Sequence, residues 1–524
     1  MTGLAAMVSI QWRTARRTVI VWVLALVASL AATAVAVAGL YDTPPKIASY
    51  GAAVVSDALV ALNGRVEGID TMGGIIQDEF GFMAAFLMPL FGLALVARLT
   101  RREEESGRLE TLLAGRVDRR APVLAALLVT SGAVGVTVLG FTVSLLASGI
   151  PTSGALLYSL ALGILTLVFA SLAALLAQVL LHSRGVYAGG LTVLVASYLL
   201  RGVGDVKHSW MTWLSPLGWM EKTAPFGPQR WWALAVPLVA GLALSGAAIA
   251  VADRRDLGSA LHRPGPGPGR ASRLLRHPMG LAAYVHRSSF VGWLVGSVVL
   301  GATMGLLAQQ AVDALLGNPA LSDLVTTGGG DPVDGFLAVT QLYLAVIACG
   351  YVVQSFGSLR TEETGGRLEP QLAGVVPRWR WLGAHILVVL GGLVLIIVAS
   401  ALVFGLTTSW STGASGHVTS LLAAGLAFLP AELVIAGIAL ALFGSLPRAY
   451  AVAWAAFGAT AFIAFLGAGL QMPGWMLDLA PTTHVGTPPQ GVVDATALVV
   501  LSLLAATLVV VAFAGFRRRL LPQG

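Results

Sequence analysis

Charged side chains are scarce in this chain: they make up 11% of its 524 residues, whereas 56% of the residues are hydrophobic. This balance excludes an ordinary water-soluble globular fold. Many apolar runs exceed the roughly 18 residues that cross about 30 Å of hydrocarbon as a helix. These runs are apolar on every face, so they do not have the alternating polarity of membrane barrel strands. The composition therefore predicts an all-α polytopic membrane protein.

Cysteine and lysine are also nearly missing. The one cysteine, Cys349, lies in an apolar run, which excludes a disulfide framework or a cysteine metal site within one chain. The three lysines are Lys46, Lys207 and Lys222. A phosphate-binding loop needs the sequence Gly-Lys-Ser/Thr, and none of these lysines follows a glycine. The chain is therefore not expected to be an enzyme, and no catalytic or metal-binding set of residues is predicted.

Twelve apolar runs are predicted to be transmembrane helices, six in each half of the chain. They lie at about 18–40, 80–97, 122–146, 154–181, 186–200, 231–252, 288–309, 336–356, 381–406, 418–446, 450–470 and 495–513. Because each half has an even number of spans, the halves share one orientation and are parallel pseudo-repeats. We predict a first half over residues 1–255, a Pro/Gly-rich linker over 256–279 and a second half over 280–524.

Basic residues are distributed unevenly between the two sides of the predicted membrane. With the N-terminus inside, 26 of the 32 lie inside and 6 outside. Cytoplasmic loops carry the excess of arginine and lysine, so both termini are predicted to be cytoplasmic. The same distribution explains the net charge of +7 without a nucleic-acid partner. Residues 8–17 are predicted to form an interfacial elbow, with Trp12, Arg13, Arg16 and Arg17 at the level of the lipid headgroups.

One charged sequence occurs twice, after the second predicted span of each half. Motif 1 (residues 101–119) begins Arg-Arg-Glu-Glu-Glu-Ser-Gly-Arg-Leu-Glu, and motif 2 (residues 360–378) begins Arg-Thr-Glu-Glu-Thr-Gly-Gly-Arg-Leu-Glu. At a constant offset of 259, 12 of the 19 positions are identical. The arginine pair 254–255 likewise recurs as 518–519, at an offset of 264. These repeats indicate an internal duplication, with both motifs in predicted cytoplasmic gaps.

Each motif is predicted to contain an amphipathic helix that ends at its Ala-Gly sequence. A glutamate and an arginine four residues apart would then meet on one helical face, Glu104 with Arg108 and Glu363 with Arg367. An acidic helix of this kind at the membrane surface suits docking on a soluble protein. The alternative is that the charges only cap the flanking spans and pair with each other, because exposed ion pairs contribute little. Repetition of Gly-Arg-Leu-Glu in one order favours docking.

The pattern Glu-Glu-x-x-Gly-Arg-Leu-Glu-x-x-Leu-Ala-Gly, present twice in a twelve-span chain, resembles the permeases of bacterial ABC exporters. The nearest group exports polyketide antibiotics and other drugs, and the resemblance covers essentially the whole chain. It implies that the motifs are coupling helices on which two copies of a separate ATPase subunit dock. The implied docking residues are Glu103, Glu104, Gly107, Arg108, Glu110, Glu362, Glu363, Gly366, Arg367 and Glu369.

The same resemblance implies the rest of the machinery. ATP and Mg would be bound by the partner subunit, the substrate would be a small lipophilic drug, and the chain would lie in the bacterial plasma membrane. The second and fifth spans of each half would line the substrate path. Motif 2 departs from the pattern, because Pro370 and Gln371 replace Thr111 and Leu112. Its helix is therefore expected to be kinked or shorter.

Glu432 is the only acidic residue inside the predicted spans. An ionisable group there costs about 2.5–3.5 kcal/mol on insertion scales, so a functional role is expected, such as binding a cationic drug or relaying protons. The alternative is a protonated carboxyl that donates to backbone freed by Pro430. Two other functions stay open: a proton-coupled secondary carrier that uses Glu432, and a non-transporting scaffold of the cell envelope.

Overall fold

A computed structural model describes residues 2–53, 60, 63–113, 117–256, 258–261, 269–309, 313, 332–374, 376–467, 472–491 and 493–519. Every regular element within these residues is a helix, which confirms the predicted all-α class. The chain forms two compact units, unit 1 (Met1–Gly267) and unit 2 (Pro268–Gly524). Positions 257 and 262–268 of the predicted linker lie outside the described residues.

The helices of unit 1 are named in chain order. They are α1 (Leu4–Leu40), α2 (Pro44–Ala53), α3 (Met72–Leu99), α4 (Arg101–Glu105), α5 (Arg108–Leu113), α6 (Ala121–Ala147), α7 (Thr152–Val179), α8 (Ser183–Val206), α9 (Pro216–Glu221) and α10 (Ala235–Arg254). Short 3₁₀ turns at Trp210–Leu214 and Trp231–Leu234 precede α9 and α10.

The helices of unit 2 continue the numbering. They are α11 (Pro278–Leu306), α12 (Pro332–Thr364), α13 (Leu368–Leu372), α14 (Arg378–Thr412), α15 (His417–Ser445), α16 (Ala451–Leu466), α17 (Gly474–Leu477) and α18 (Ala495–Arg518). Short 3₁₀ turns occur at Arg273–Arg276, Pro447–Ala449 and Pro481–Val485.

Twelve helices in the described part of the chain are long and apolar enough to cross a membrane, which confirms the predicted number. They are α1, α3, α6, α7, α8 and α10 in unit 1, and α11, α12, α14, α15, α16 and α18 in unit 2. Several are longer than predicted; α3, for example, begins at Met72 rather than Phe80. Polar residues near the helix ends had shortened the predicted spans.

The N-terminal segment is part of the first span rather than a separate elbow. Residues 8–17 belong to one uninterrupted helix, α1, and do not form an element of their own. The side-chain amide of Gln11 donates to the carbonyl oxygens of Leu99 (3.2 Å) and Pro122 (3.0 Å), and these bonds hold the start of α1 against α3 and α6. The predicted interfacial residues are exposed on this helix: Trp12, Arg13, Arg16 and Arg17. Their position at the membrane surface stays a prediction.

The second and fourth spans form the centre of each unit. In unit 1, 67% of the residues in the apolar 18-residue stretch of α3 are buried, and the same is true of α7. These two helices pack on each other. The matching helices of unit 2, α12 and α15, also pack on each other. The sixth span then packs on the fourth, α10 on α7 and α18 on α15. Each unit therefore contains a continuous series of packed helices, α3–α7–α10 in one and α12–α15–α18 in the other.

Candidate functional site: the repeated motifs

Motif 1 folds as two short helices rather than one. Gly107 lies between α4 and α5 with a φ of +73°. Its N–H donates to the carbonyl oxygen of Glu104 (3.0 Å), as expected for a left-handed helix cap. Glycine adopts this conformation without the steric penalty that a side chain brings. The predicted continuous helix is therefore wrong, and the break falls on the glycine of Gly-Arg-Leu-Glu.

Motif 2 contains the same break. Here α12 runs into the motif as far as Thr364, and Gly366 follows with a φ of +68°. The N–H of Gly366 donates to the carbonyl oxygen of Glu363 at 3.0 Å. The helix after the break, α13, spans five residues and includes Pro370, whereas α5 spans six. The glycine shared by the two motifs is thus explained by its backbone conformation.

The arginine of Gly-Arg-Leu-Glu forms a local ion pair in both motifs. The guanidinium of Arg108 donates to both carboxylate oxygens of Glu103 (2.7 and 2.8 Å), and Arg367 binds Glu362 at 2.9–3.1 Å. These partners are five residues apart, because the left-handed glycine re-aims the arginine. The predicted pairing of Arg108 with Glu104 is therefore wrong, as is its counterpart in motif 2. Both arginine side chains stay more than half exposed.

Glu104 is buried and binds residues far away in the sequence. One carboxylate oxygen accepts hydrogen bonds from Arg101 (2.9 Å) and Arg255 (2.7 Å), and the other accepts from the N–H of Gly258 (2.8 Å). The side chain of Glu104 is only 5% exposed. Arg255 is the first residue after α10. Glu104 therefore attaches motif 1 to the end of the sixth span of unit 1.

Glu363 makes the equivalent contact in unit 2. Both of its carboxylate oxygens accept hydrogen bonds from the guanidinium of Arg519, at 2.8 and 2.9 Å. The two side chains are 5% and 13% exposed. The guanidinium also lies 5.5 Å from the ring of Phe443 and 5.6 Å from that of Phe516. Arg519 is the first residue after α18, so this ion pair repeats the arrangement in unit 1.

The exposed face of each motif is formed by the rest of Gly-Arg-Leu-Glu. The leucine, Leu109 or Leu368, is buried against its own unit. The glutamate that follows it, Glu110 or Glu369, is exposed, as is the arginine before it. Within the predicted docking set, the arginine and the last glutamate of each motif therefore face outward. Glu104 and Glu363 face inward.

Glu432 lies deep inside unit 2 on α15. It is fully buried, and neither carboxylate oxygen has a hydrogen-bond partner among the described residues. The predicted hydrogen bond to backbone freed by Pro430 is therefore not formed in that part of the chain. Two turns earlier on α15, Gly425 lies against the buried side-chain amide of Gln341 from α12. A functional role for Glu432 stays a prediction.

Buried acidic residues also lie in unit 1, at the end opposite motif 1. Asp78 is inside α3, where its carboxylate accepts hydrogen bonds from the Tyr50 hydroxyl (2.7 Å) and the Asn63 amide (3.1 Å). Arg201 binds Glu221 at 3.3 Å, and burial raises the pKa of the Glu221 carboxyl well above its usual range. Because Asp78 lies within α3, Glu432 is not the only acidic residue in a helix long enough to span the membrane. The sequence pattern missed Asp78 because its polar partners lie in other elements.

Comparison with known proteins gives two findings. Residues 275–517 match the family model described as the C-terminal domain of the multidrug efflux system permease Rv1217c. The chain is also 32% identical over 525 residues to the multidrug efflux system permease protein Rv1217c of Mycobacterium tuberculosis (strain ATCC 25618 / H37Rv). That similarity covers 99% of this chain and 95% of the mycobacterial protein.

Proposed function

Because this chain belongs to the family of the multidrug efflux system permease Rv1217c, we propose that it is the membrane subunit of an ATP-driven exporter of lipophilic drugs. It is a multi-pass membrane permease with twelve candidate spans in its described residues. In the proposed complex, both six-span halves are fused in one chain. Two copies of a separate ATPase subunit bind to motifs 1 and 2.

The proposed docking surface is supported by one observation above all. Each of the two units presents an exposed arginine directly after a left-handed glycine, and an exposed glutamate on the short helix that follows. Surface ion pairs alone contribute little to stability and seldom require a particular order of residues. A partner protein that binds both the arginine and the glutamate does require them in a fixed order. The ATPase subunit would also supply the bound ATP and Mg, because none of the three lysines of this chain is in a Gly-Lys-Ser/Thr sequence.

The orientation predicted from the basic residues supports the same proposal. Placing both motifs in the cytoplasm puts 26 of the 32 basic residues on that side, as the distribution of arginine and lysine in membrane proteins requires. Both termini and both motifs would then face the compartment that contains ATP. The proposed location is the plasma membrane of a bacterial cell.

The proposal predicts that export needs ATP and an additional protein. When the chain is purified in mild detergent from its own bacterium, an ATPase subunit should co-purify. Everted membrane vesicles should accumulate a lipophilic drug on addition of ATP, and should continue to do so after a protonophore dissipates the proton gradient. Accumulation driven by a pH gradient without ATP would contradict the proposal and favour the proton-coupled carrier.

A second function is favoured by Glu432 alone. A buried carboxyl without a hydrogen-bond partner among the described residues is a reasonable proton or cation site in a membrane protein. Under the exporter proposal, Glu432→Gln should leave ATP-dependent drug export within about twofold of the parent, since the amide keeps the shape of the side chain and removes only its charge. Drug accumulation in everted vesicles measures this. Complete loss of export at normal protein levels would instead place Glu432 in the transport step.

A further inference from the structure

We propose that Glu104 and Glu363 are positioning residues that join each motif to the sixth span of its own unit, so that motif and span move together. The inference deepens the proposed function, in which a docked ATPase subunit moves the motifs. It assigns the two buried glutamates a role in transmitting that movement, separate from contact with the partner.

The first observation in favour of this role is that equivalent ion pairs, Glu104–Arg255 and Glu363–Arg519, occur in the two units. Glu104 and Glu363 are related by the offset of 259 between the motifs, whereas Arg255 and Arg519 are related by an offset of 264. The chain between glutamate and arginine thus differs by five residues in the two units. In each unit, the partner is nevertheless the residue that directly follows the sixth span. The same connection therefore occurs in both units despite different intervening segments.

The second support is the contrast with the neighbouring glutamate. In each motif two adjacent glutamates have different partners. Glu362 binds an arginine of its own motif that stays mostly exposed, whereas Glu363 binds Arg519, 156 residues away, whose side chain is only 13% exposed. In unit 1 the corresponding separation between Glu104 and Arg255 is 151 residues. Local charge compensation explains the first kind of pair and not the second.

The third support is the packing of the spans that the ion pairs connect. In unit 2, motif 2 is continuous with α12, α12 packs on α15, and α15 packs on α18. The bond from Glu363 to Arg519 returns from the end of α18 to motif 2. In unit 1, α3, α7 and α10 make the same series, which the bond from Glu104 to Arg255 completes. Each motif is thus joined by the chain to the second and third spans of its unit, and by an ion pair to the sixth.

Burial makes these connections persistent. A buried ion pair separates only at a large cost, because each charge is left without a partner in a medium of low dielectric. Arg519 binds Glu363 through two parallel hydrogen bonds, the strongest geometry for this pair of groups. A force on motif 2 would therefore displace the end of α18 together with the end of α12. Without the ion pair, motif 2 would be linked to the end of α18 through Arg378, which donates to the carbonyl oxygens of Phe516, Arg517 and Arg519, and not through Glu363.

The test measures a distance within unit 2 and does not need the partner. Spin labels would be placed at two exposed positions, Ala373→Cys in motif 2 and Arg517→Cys on α18, after the buried native cysteine is replaced by Cys349→Ala. Pulsed electron paramagnetic resonance then reports the distribution of distances between the labels. We expect one narrow distribution in the parent and a clearly broadened one in Glu363→Gln. The matched control, Glu362→Gln, changes the adjacent glutamate and should stay narrow.

A charge-swap variant and a drug-export assay provide two further measurements. Combining Glu363→Arg with Arg519→Glu restores opposite charges and should narrow the distribution again. Without spin labels, Glu363→Gln should lose drug export while the ATPase subunit still co-purifies. An unchanged distribution in Glu363→Gln would overturn the inference. If that variant does not accumulate, Glu363→Leu with Arg519→Met removes both buried charges and must broaden the distribution for the inference to hold.

The two proposals fail differently. If the docking proposal is wrong, no ATPase co-purifies with the parent protein, yet the labels still report whether motif and span are joined. If the positioning role is wrong, Glu363→Gln keeps both the ATPase subunit and drug export.

Discussion

Reversing the charge at Glu110 and Glu369 together is expected to abolish drug export and to release the ATPase subunit from the purified protein. Both glutamates are exposed on the helix that follows the left-handed glycine. Placing like charges against each other at an interface costs several kcal/mol. About 3 kcal/mol at each motif corresponds to roughly a hundredfold weaker binding. Two such losses leave almost no assembled complex at cellular concentrations.

The measurement is co-purification of the ATPase subunit with Glu110→Arg/Glu369→Arg, together with drug accumulation in everted vesicles. The matched control is Asp42→Arg/Asp478→Arg, which makes the same change of charge at exposed residues on the predicted outer side. The control should behave as the parent. Normal assembly of the Glu110→Arg/Glu369→Arg protein would show that the outward charges of the motifs are not the docking surface.

Replacing Gly444 by leucine is expected to have the largest effect on stability. A Cβ at this position of α15 would lie 2.3 Å from the carbonyl oxygen of Ala512 and 2.8 Å from its Cα, both backbone atoms of α18. Small residues allow helix backbones to approach this closely within membranes. Overpacking typically costs 1–3 kcal/mol, and because backbone cannot move aside as a side chain can, we expect about 3 kcal/mol or more.

Thermal unfolding in detergent, followed by size-exclusion chromatography after heating, measures the effect of Gly444→Leu. The control is Gly391→Leu on α14, where the added Cβ has no heavy atom of another described element within 4 Å. That variant should unfold near the temperature of the parent. The substituted position is also next to Phe443, whose ring packs beside the guanidinium of Arg519. Equal unfolding temperatures for the two variants would contradict the close approach of α15 and α18.

Hydropathy was sufficient to predict the spans, because twenty consecutive apolar residues have few other stable environments. Asp78 shows the limit of this reasoning. Its charge placed it in a predicted loop, yet it lies within α3, where Tyr50 and Asn63 bind its carboxylate. Hydropathy scores each residue alone and cannot include a hydrogen-bond partner from another element.

The motifs could be located from the sequence, but their contacts could not. Helical spacing pairs residues four apart only while the helix continues, and the left-handed Gly107 ends it. The sequence did contain a signal for the buried partners, since the arginine pair at 254–255 recurs at 518–519. No local rule, however, connects a glutamate to an arginine 151 residues away. That contact depends on how six spans pack.

The two buried glutamates are unequally protected against mutation. Glu104 has two arginine partners and a backbone N–H, so losing Arg255 leaves it with Arg101. Glu363 has Arg519 as its ion-pair partner in the described residues, held by both guanidinium nitrogens. Loss of Arg255 therefore leaves the Glu104 carboxylate with an arginine partner, whereas loss of Arg519 removes the ion-pair partner of the Glu363 carboxylate in the described residues. A random search for inactivating missense changes should recover Arg519 more often than Arg255.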